Sequence, residues 1–152
     1  MLRTKLSETL KTAMKSKDAS TTSTIRLIQA ALKDRDIAAR PKGNMDGISD
    51  DEILSLMQGM IKQRRDSIEM YEKGGRQELA DKEAAEISII ESFMPEQMDE
   101  ATAIAAVKVI VTELEASSMK DMGKVMATLK ERHAGSMDFS KASGMVKGIL
   151  GV

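Results

Sequence analysis

Cysteine is absent from this sequence, which removes disulfides, thiolate metal sites and a cysteine nucleophile together. Tryptophan is absent as well, and aromatic residues make up only 2%. Few aromatics and few β-branched runs argue against a sheet protein. There is one histidine, His133, set between Arg132 and Ala134-Gly135. Zinc needs three or four converging ligands, which this stretch does not supply. His133 therefore reads as a solvated residue near the negative end of a helix dipole, and neither a metal nor a cofactor is expected. No apolar run approaches the length of a membrane span, so no membrane partner is expected. A formal net charge of −1 creates no global field favouring nucleic acid or a membrane.

What is present is aliphatic and charged. Hydrophobic residues make up 41% of the 152, charged residues 31%, and methionine occurs 13 times. Leu, Ile, Val, Ala and Met must then fill the interior, and unbranched Met suits irregular gaps between helices. This length allows one domain or two small ones.

The stretch from Ser49 to Pro95 organises the chain. Ser49 followed by Glu52 is a capping-box signature ahead of an apolar run. Met57, Ile61, Ile68 and Tyr71 then share one helical face with Arg64 in its gap. After Glu72-Lys73-Gly74-Gly75, Leu79, Ile87, Ile90 and Phe93 form an answering stripe with Glu83 and Glu86 beside it. Pro95 stops the second helix. At 1.5 Å per residue, Arg64 and Glu86 both lie roughly 16–17 Å from the turn between the glycines. A structural ion pair between Arg64 and Glu86, or Glu83 as alternate, is expected within the apolar seam.

Before this hairpin, Leu2, Leu6, Leu10 and Met14 stripe a first helix, Leu2 to Lys15. The first seventeen residues are basic enough to resemble a mitochondrial transit peptide, but the clean stripe reads as a core helix. Lys17-Asp18-Ala19-Ser20 is a polar connection. A second helix runs from near Thr21 to Ala39, with Ile25, Ile28, Ala31 and Leu32 inward. Arg40 to Gly47 holds two glycines, a proline and an asparagine, and is a loop. Beyond Pro95, Asp99 is a plausible N-cap for a fifth helix striped by Ile104, Val107, Val111 and Leu114. Ala116-Ser117-Ser118 breaks it. A sixth helix, Lys120 to Arg132, turns Met122, Val125, Met126 and Leu129 inward. Gly135 ends it, and a seventh starts at Asp138 or Ser140. The expected fold is all-α: an N-terminal helical bundle with a long hairpin (residues 1–94), then a small three-helix domain (residues 95–152).

Catalytic constellations are lacking. Ser117-Ser118-Met119-Lys120 suggests a serine–lysine pair, but Ser118 suits the cap of the next helix and Lys120 solvent. Gly123-Lys124 lacks the preceding glycine and strand of a phosphate loop. Glu83 and Glu86 could do acid–base work if their pKa values were raised, yet Arg64 is placed to neutralise one of them. The charge distribution says more. From Ala116 to Val152 six Lys or Arg stand against three acids, while the remainder, summed, is acidic. Lys120, Lys124, Lys130, Arg132, Lys141 and Lys147 are candidates for a basic patch. No aromatic residue interleaves with them, so contact would be with phosphate or the shape of folded RNA rather than stacked bases.

Several ordered motifs carry a family resemblance. They are Thr24-Ile25-Arg26-Leu27, Ile61 to Ser67, Tyr71 to Arg76, Glu83 with Glu86, Phe93 to Gln97, and Ser117 to Met126. Together they resemble the GatB/YqeY family over nearly the whole chain. That family comprises small proteins similar to the tail of GatB, a subunit of the amidotransferase acting on mischarged Glu-tRNA(Gln) or Asp-tRNA(Asn). In that enzyme the tail helps hold tRNA, while glutamine hydrolysis and amide transfer occur elsewhere. The tail motif falls here on Gly123, Lys124, Val125, Met126, Gly135 and Val146. One departure is Ser136-Met137-Asp138, where the family tends to carry a basic residue after the glycine. The charge distribution and the resemblance together lead to the expectation of a non-catalytic, cytoplasmic protein that binds tRNA, with Lys120, Lys124, Lys130 and Arg132 drawn from the charge distribution and Gly123 and Lys124 from the tail motif. Amidotransferase or aminoacyl-tRNA synthetase components are the implied protein partners. Two alternatives are a glutamine-dependent amidotransferase component (a carbon–nitrogen ligase part) and a protein–protein adaptor with no RNA role.

Overall fold

Helix starts in this chain are set by short oxygen-bearing side chains. Asp18, Ser49, Asp99 and Asp138 each accept a hydrogen bond from a backbone N–H in the first turn of the helix that follows, satisfying a donor with no intrahelical partner. At Ser49 the box is complete: Ser49 Oγ accepts from Glu52 N at 3.2 Å, and Glu52 Oε2 accepts from Ser49 N at 2.8 Å. In the computed structural model, which describes residues 1–151, all regular structure among the described residues is helical. The helices are α1 (Leu2–Lys15), α2 (Ala19–Ala39), α3 (Asp50–Lys73), α4 (Gln77–Glu91), α5 (Glu100–Glu113), α6 (Met122–Arg132) and α7 (Phe139–Leu150). Asp18 caps α2, so that helix begins two residues earlier than its apolar spacing implies. Arg40–Lys42 and Met119–Asp121 are single 3₁₀ turns.

Two compact units result, Met1–Met94 and Pro95–Val152. In the first, Leu6, Ile25, Ile28, Leu32, Ile53, Met57, Ile90 and Phe93 form one buried cluster. α1 belongs to this core through Leu6 and Ala13. Met14, by contrast, is 52% exposed. Seven residues from Leu6 is position 13, about 20° off its direction, whereas position 14 is about 80° round. In the second unit α5, α6 and α7 pack pairwise around Val107, Ile110, Val125, Leu129, Ala142 and Val146. Leu114 lies past the last turn of α5 and is exposed, next to Glu115 with its left-handed φ of 51°. Met137, between α6 and α7, is buried instead.

α3 and α4 form an antiparallel hairpin closed by Gly74-Gly75. Gly75 has φ +71°. Its N–H bonds Glu72 O at 3.2 Å and the N–H of Arg76 bonds Tyr71 O at 2.8 Å, the paired pattern that ends a helix on a left-handed residue. Inside the seam Arg64 Nε donates to Glu86 Oε2 at 2.8 Å, with Glu83 Oε2 at 3.8 Å, and Nη1 donates to Met60 O at 3.2 Å. The Arg64 and Glu86 side chains are 13% and 12% exposed. A partner lost from so enclosed a pair leaves an uncompensated charge.

A second polar junction has no counterpart in the sequence reading. Arg3 on α1 grips Asp36 on α2 with both terminal nitrogens at 2.8 Å, and its Nη2 also donates to Ile48 O at 2.9 Å. Ile48 N returns a bond to Asp36 Oδ1 at 2.9 Å. Two helices and the approach to α3 are thereby tied at one carboxylate. Gly47, at φ +97°, passes so close that a Cβ there would stand 2.7 Å from Arg3 Nη2. The Arg3 guanidinium, helped by the Ile48 N–H, holds the Asp36 carboxyl down at about 2 despite the opposing effect of burial.

Two outcomes follow from these junctions. Arg64→Met should cost roughly 3–5 kcal/mol, whereas Arg65→Met, whose pair with Glu91 is 64% and 42% exposed, should cost about 0–1 kcal/mol; thermal melts of the two variants check this. The Asp36 carboxyl is depressed on folding, so its contribution is full above the unfolded value near 3.9 and vanishes as pH falls through about 2. Asp36→Asn should therefore lower the melting temperature at pH 6, with the difference from wild type shrinking between pH 4 and pH 2. A gap independent of pH would contradict the ion pair as the cause.

Candidate nucleic-acid interface

The start of α6 is built from Ser117-Ser118-Met119-Lys120-Asp121. Asp121 turns its carboxylate back, where Oδ2 accepts from Ser117 N at 2.9 Å and Ser118 N at 3.1 Å. Those two N–H groups, first that of Ser117, hold the Asp121 carboxyl below its ordinary range. Ser118 reciprocates by capping the Asp121 N–H. The Ser118 hydroxyl faces Asp121 Oδ2 at 3.4 Å, so it is engaged in this cap. Lys120 thus sits in a 3₁₀ turn and α6 begins at Met122, two residues later than its apolar spacing implies.

This local structure brings together three of the expected residues. Lys120, Gly123 and Lys124 are all exposed within the turn and the first three positions of α6. Val125 and Leu129 face inward and are fully buried, and Met122 and Met126 are half-buried beside them. Counting about 100° per residue, Lys120 and Lys124 point away from that side. Neither lysine enters an ion pair among the described residues. A Cβ at Gly123 would meet nothing within 4 Å, so the helix backbone there is bare to an approaching group.

Lys130 and Arg132 belong to the other end of α6. Lys130 stands about 9 Å along the axis from Lys124 and about 120° round it, so the two do not share one face. Arg132 is exposed but paired, with Nη1 2.6 Å from Glu113 Oε2 on α5. The five candidates are therefore a cluster of three, one separate lysine and one neutralised arginine. Arg64, Glu83 and Glu86 belong to the first unit. There both carboxylates lie on one guanidinium, an arrangement that orients helices. His133 caps α6, its N–H bonding Leu129 O at 2.9 Å, and is half-buried. Among the described residues no group of three or more His, Asp or Glu could hold a metal ion.

Other helical glycines are equally open: Gly59 on α3 of the first unit, and two in the second unit. Gly144 and Gly148 on α7 are exposed, and a Cβ at either would meet nothing within 4 Å. They lie four apart, on one face of the helix, and Gly148 adjoins the exposed Lys147. Their spacing was visible in the sequence, but a helical glycine is informative only once its surroundings are known to be empty.

A family model described as Yqey-like protein matches residues 3–150. Among individual relatives is the protein named altered inheritance of mitochondria protein 41, mitochondrial, of Pyrenophora tritici-repentis. It is 32% identical over 142 residues, covering 90% of this chain and 76% of the relative. The protein of the same name from Lachancea thermotolerans is 31% identical over 144 residues, covering 93% and 75%. That from Eremothecium gossypii is 36% identical over 89 residues, covering 59% and 46%. These names, which point to a mitochondrial location, overturn the cytoplasmic location expected from the sequence, where the basic first seventeen residues read as a core helix rather than a transit peptide. A helix can pack in a core whatever the compartment, so the stripe on α1 never bore on location. The match spans both units and coincides with the resemblance carried by the motifs from Thr24 to Met126: this chain belongs to the family of Yqey-like proteins.

Proposed function

We propose that this protein acts without catalysing a reaction itself, in association with tRNA or with the machinery of tRNA-dependent amidation, and that it holds folded tRNA through residues 95–152. The observation that carries this reading is the start of α6, where Lys120 and Lys124 are exposed on either side of the bare backbone of Gly123, with no salt bridge among the described residues and only the longer-range attraction of Asp121 on Lys124. Glycine inside a helix costs roughly 0.5–1 kcal/mol relative to alanine. No neighbour within the protein occupies the space that alanine would fill there, so close approach from outside supports its presence. Gly144 and Gly148 on α7 lend the same support. Phosphate and ribose are the groups such a surface suits, since fixed lysines attract the backbone and exposed N-terminal helix positions accept it closely. Location is taken from the relatives as mitochondrial.

The binding expected is modest and salt-dependent, with a slope set by about two to four phosphates. Lys124→Glu should weaken tRNA binding, measured by fluorescence anisotropy at low ionic strength, with little change in melting temperature. Gly123→Ala should raise the melting temperature slightly while weakening the same binding, a divergence that a purely structural glycine would not produce. The control is Lys62→Glu on α3, an exposed and unpaired lysine in the other unit. Loss of binding to an equal degree in the control and in Lys124→Glu would remove the α6 site and leave general charge as the cause.

A further inference from the structure

A net charge of −1 conceals a division inside the first unit. From Met1 to Gly47 there are ten Lys or Arg and five acids, whereas from Ile48 to Met94 there are six and eleven. Pairing sharpens the contrast. Four of the six cations from Ile48 to Met94, namely Arg64, Arg65, Lys73 and Arg76, meet a carboxylate within 4.0 Å. Of the ten earlier cations only Arg3 does so among the described residues. Lys5 donates to Ser92 O and lies over the Phe93 ring, which leaves eight exposed cations outside any salt bridge among the described residues, Arg40 alone of them acting on the Asp36 carboxylate at longer range. Two of the five acids in the same stretch are already engaged, Asp36 by Arg3 and Asp18 by Thr21.

The fold gathers several of these cations on one surface. α1 and α2 pack together, joined by the tight turn at Ser16–Asp18. Because Arg3 meets Asp36 near the far end of α2, the helices run antiparallel. Between them lies an open groove of about 250 Å³ lined by Ser7, Gln29 and Lys33 among others, with the Arg3–Asp36 junction at one end. Lys11 lies one turn beyond Ser7 and about 40° round α1, and Lys15 one turn beyond that and about 80° round from Ser7. Arg26 lies two turns before Lys33 and within about 20° of its direction. Lys33 thus lines a groove whose walls also carry a hydroxyl, an amide and two leucines, and Lys11, Lys15 and Arg26 continue the positive charge along the two helices beyond it. We infer that the α1–α2 surface bordered by Lys11, Lys15, Arg26 and Lys33 is a second binding surface for the phosphate backbone of folded RNA.

The chemistry of the groove favours a polyanion with ribose and phosphate edges. Unpaired lysines and arginines release counterions when they meet phosphates, and Ser and Gln side chains make the accompanying backbone contacts. The chain's few aromatic rings, Tyr71, Phe93 and Phe139, all lie outside α1 and α2, so stacked single-stranded bases are not the target. The inference shares its RNA partner with the proposed function but stands on different residues, and the two are separable.

The test compares three variants of the full chain for binding to folded tRNA across a KCl series. Lys11→Glu/Lys33→Glu should weaken binding about tenfold at low salt and reduce the slope of log affinity against log salt by about 2, with the melting temperature retained. Lys62→Glu/Lys82→Glu makes the same change of charge on α3 and α4 and should weaken binding far less. Lys124→Glu reports on the α6 site alone. If the first double variant binds as wild type does, or if the two double variants are equal, the α1–α2 surface is not an RNA site, whatever Lys124→Glu shows. If the α1–α2 variant fails and Lys124→Glu binds normally, the inference stands and the α6 reading falls. Absence of salt-sensitive tRNA binding by wild type overturns both. So does retention on anionic phosphatidylserine vesicles without tRNA binding, or salt-sensitive self-association in sedimentation without tRNA binding; the latter would assign the basic face to the acidic hairpin of another copy.

Discussion

The contact between Arg64 and Glu86 sets the register of the α3–α4 hairpin, and the first unit depends on that hairpin. An apolar seam of Ile, Leu and Met can slide by a turn at modest cost, because such side chains pack adaptably. A guanidinium 13% exposed and a carboxylate 12% exposed, 2.8 Å apart, remove that freedom, since any other register would bury both without partners. α1 and α2 then pack against the fixed hairpin, and the Arg3–Asp36–Ile48 junction ties the approach to α3 to both of them. With aromatics at 2%, there are few large rigid rings to lock the core by shape. Polar junctions take over that role.

The same economy of pairing divides the surface. Cations on α3 and α4 are mostly held by neighbouring carboxylates, which makes that face acidic and internally satisfied. Those on α1 and α2 are mostly free, as are Lys120 and Lys124 at the start of α6. Free cations keep their hydration and their counterions until a polyanion displaces them. Both proposed contacts with RNA are thus made from charges that the fold itself does not use.

Period and punctuation made most of the fold legible in the sequence. The Ser49–Glu52 box, the Asp99 cap, the Gly74-Gly75 turn and Pro95 are local signals, and each governs the residues beside it. The Arg64–Glu86 contact could be located because equal distances from a known turn place residues at equal heights. The Arg3–Asp36 contact could not, since it spans 33 positions across two helices and no shared turn fixes their relative height. The error at Met14 arose from an i, i+4 stripe carried over two turns, which drifts about 80° from Leu6 while Ala13 stays on the packed face, and that at Leu114 from its place past the last turn of α5. In the candidate interface Lys120, Gly123 and Lys124 are exposed and adjacent, as a short stretch of sequence at a helix start must leave them when Val125 and Leu129 turn inward. The sequence could not show that Arg132 is paired with Glu113, because that depends on how α5 and α6 cross. Nor did a summed charge reveal the basic face of α1 and α2, which the acids of the following hairpin cancel in the total.

Formaldehyde cross-linking of folded tRNA to the full chain, with the modified lysines mapped by mass spectrometry, tests the central claim most directly. It reads contact at each lysine without substituting any of them. The account predicts that the modified lysines cluster at Lys11, Lys15 and Lys33 and at Lys120 and Lys124, with Lys62 and Lys82 spared. Modification spread evenly over all exposed lysines, or concentrated on Lys62 and Lys82, would contradict it.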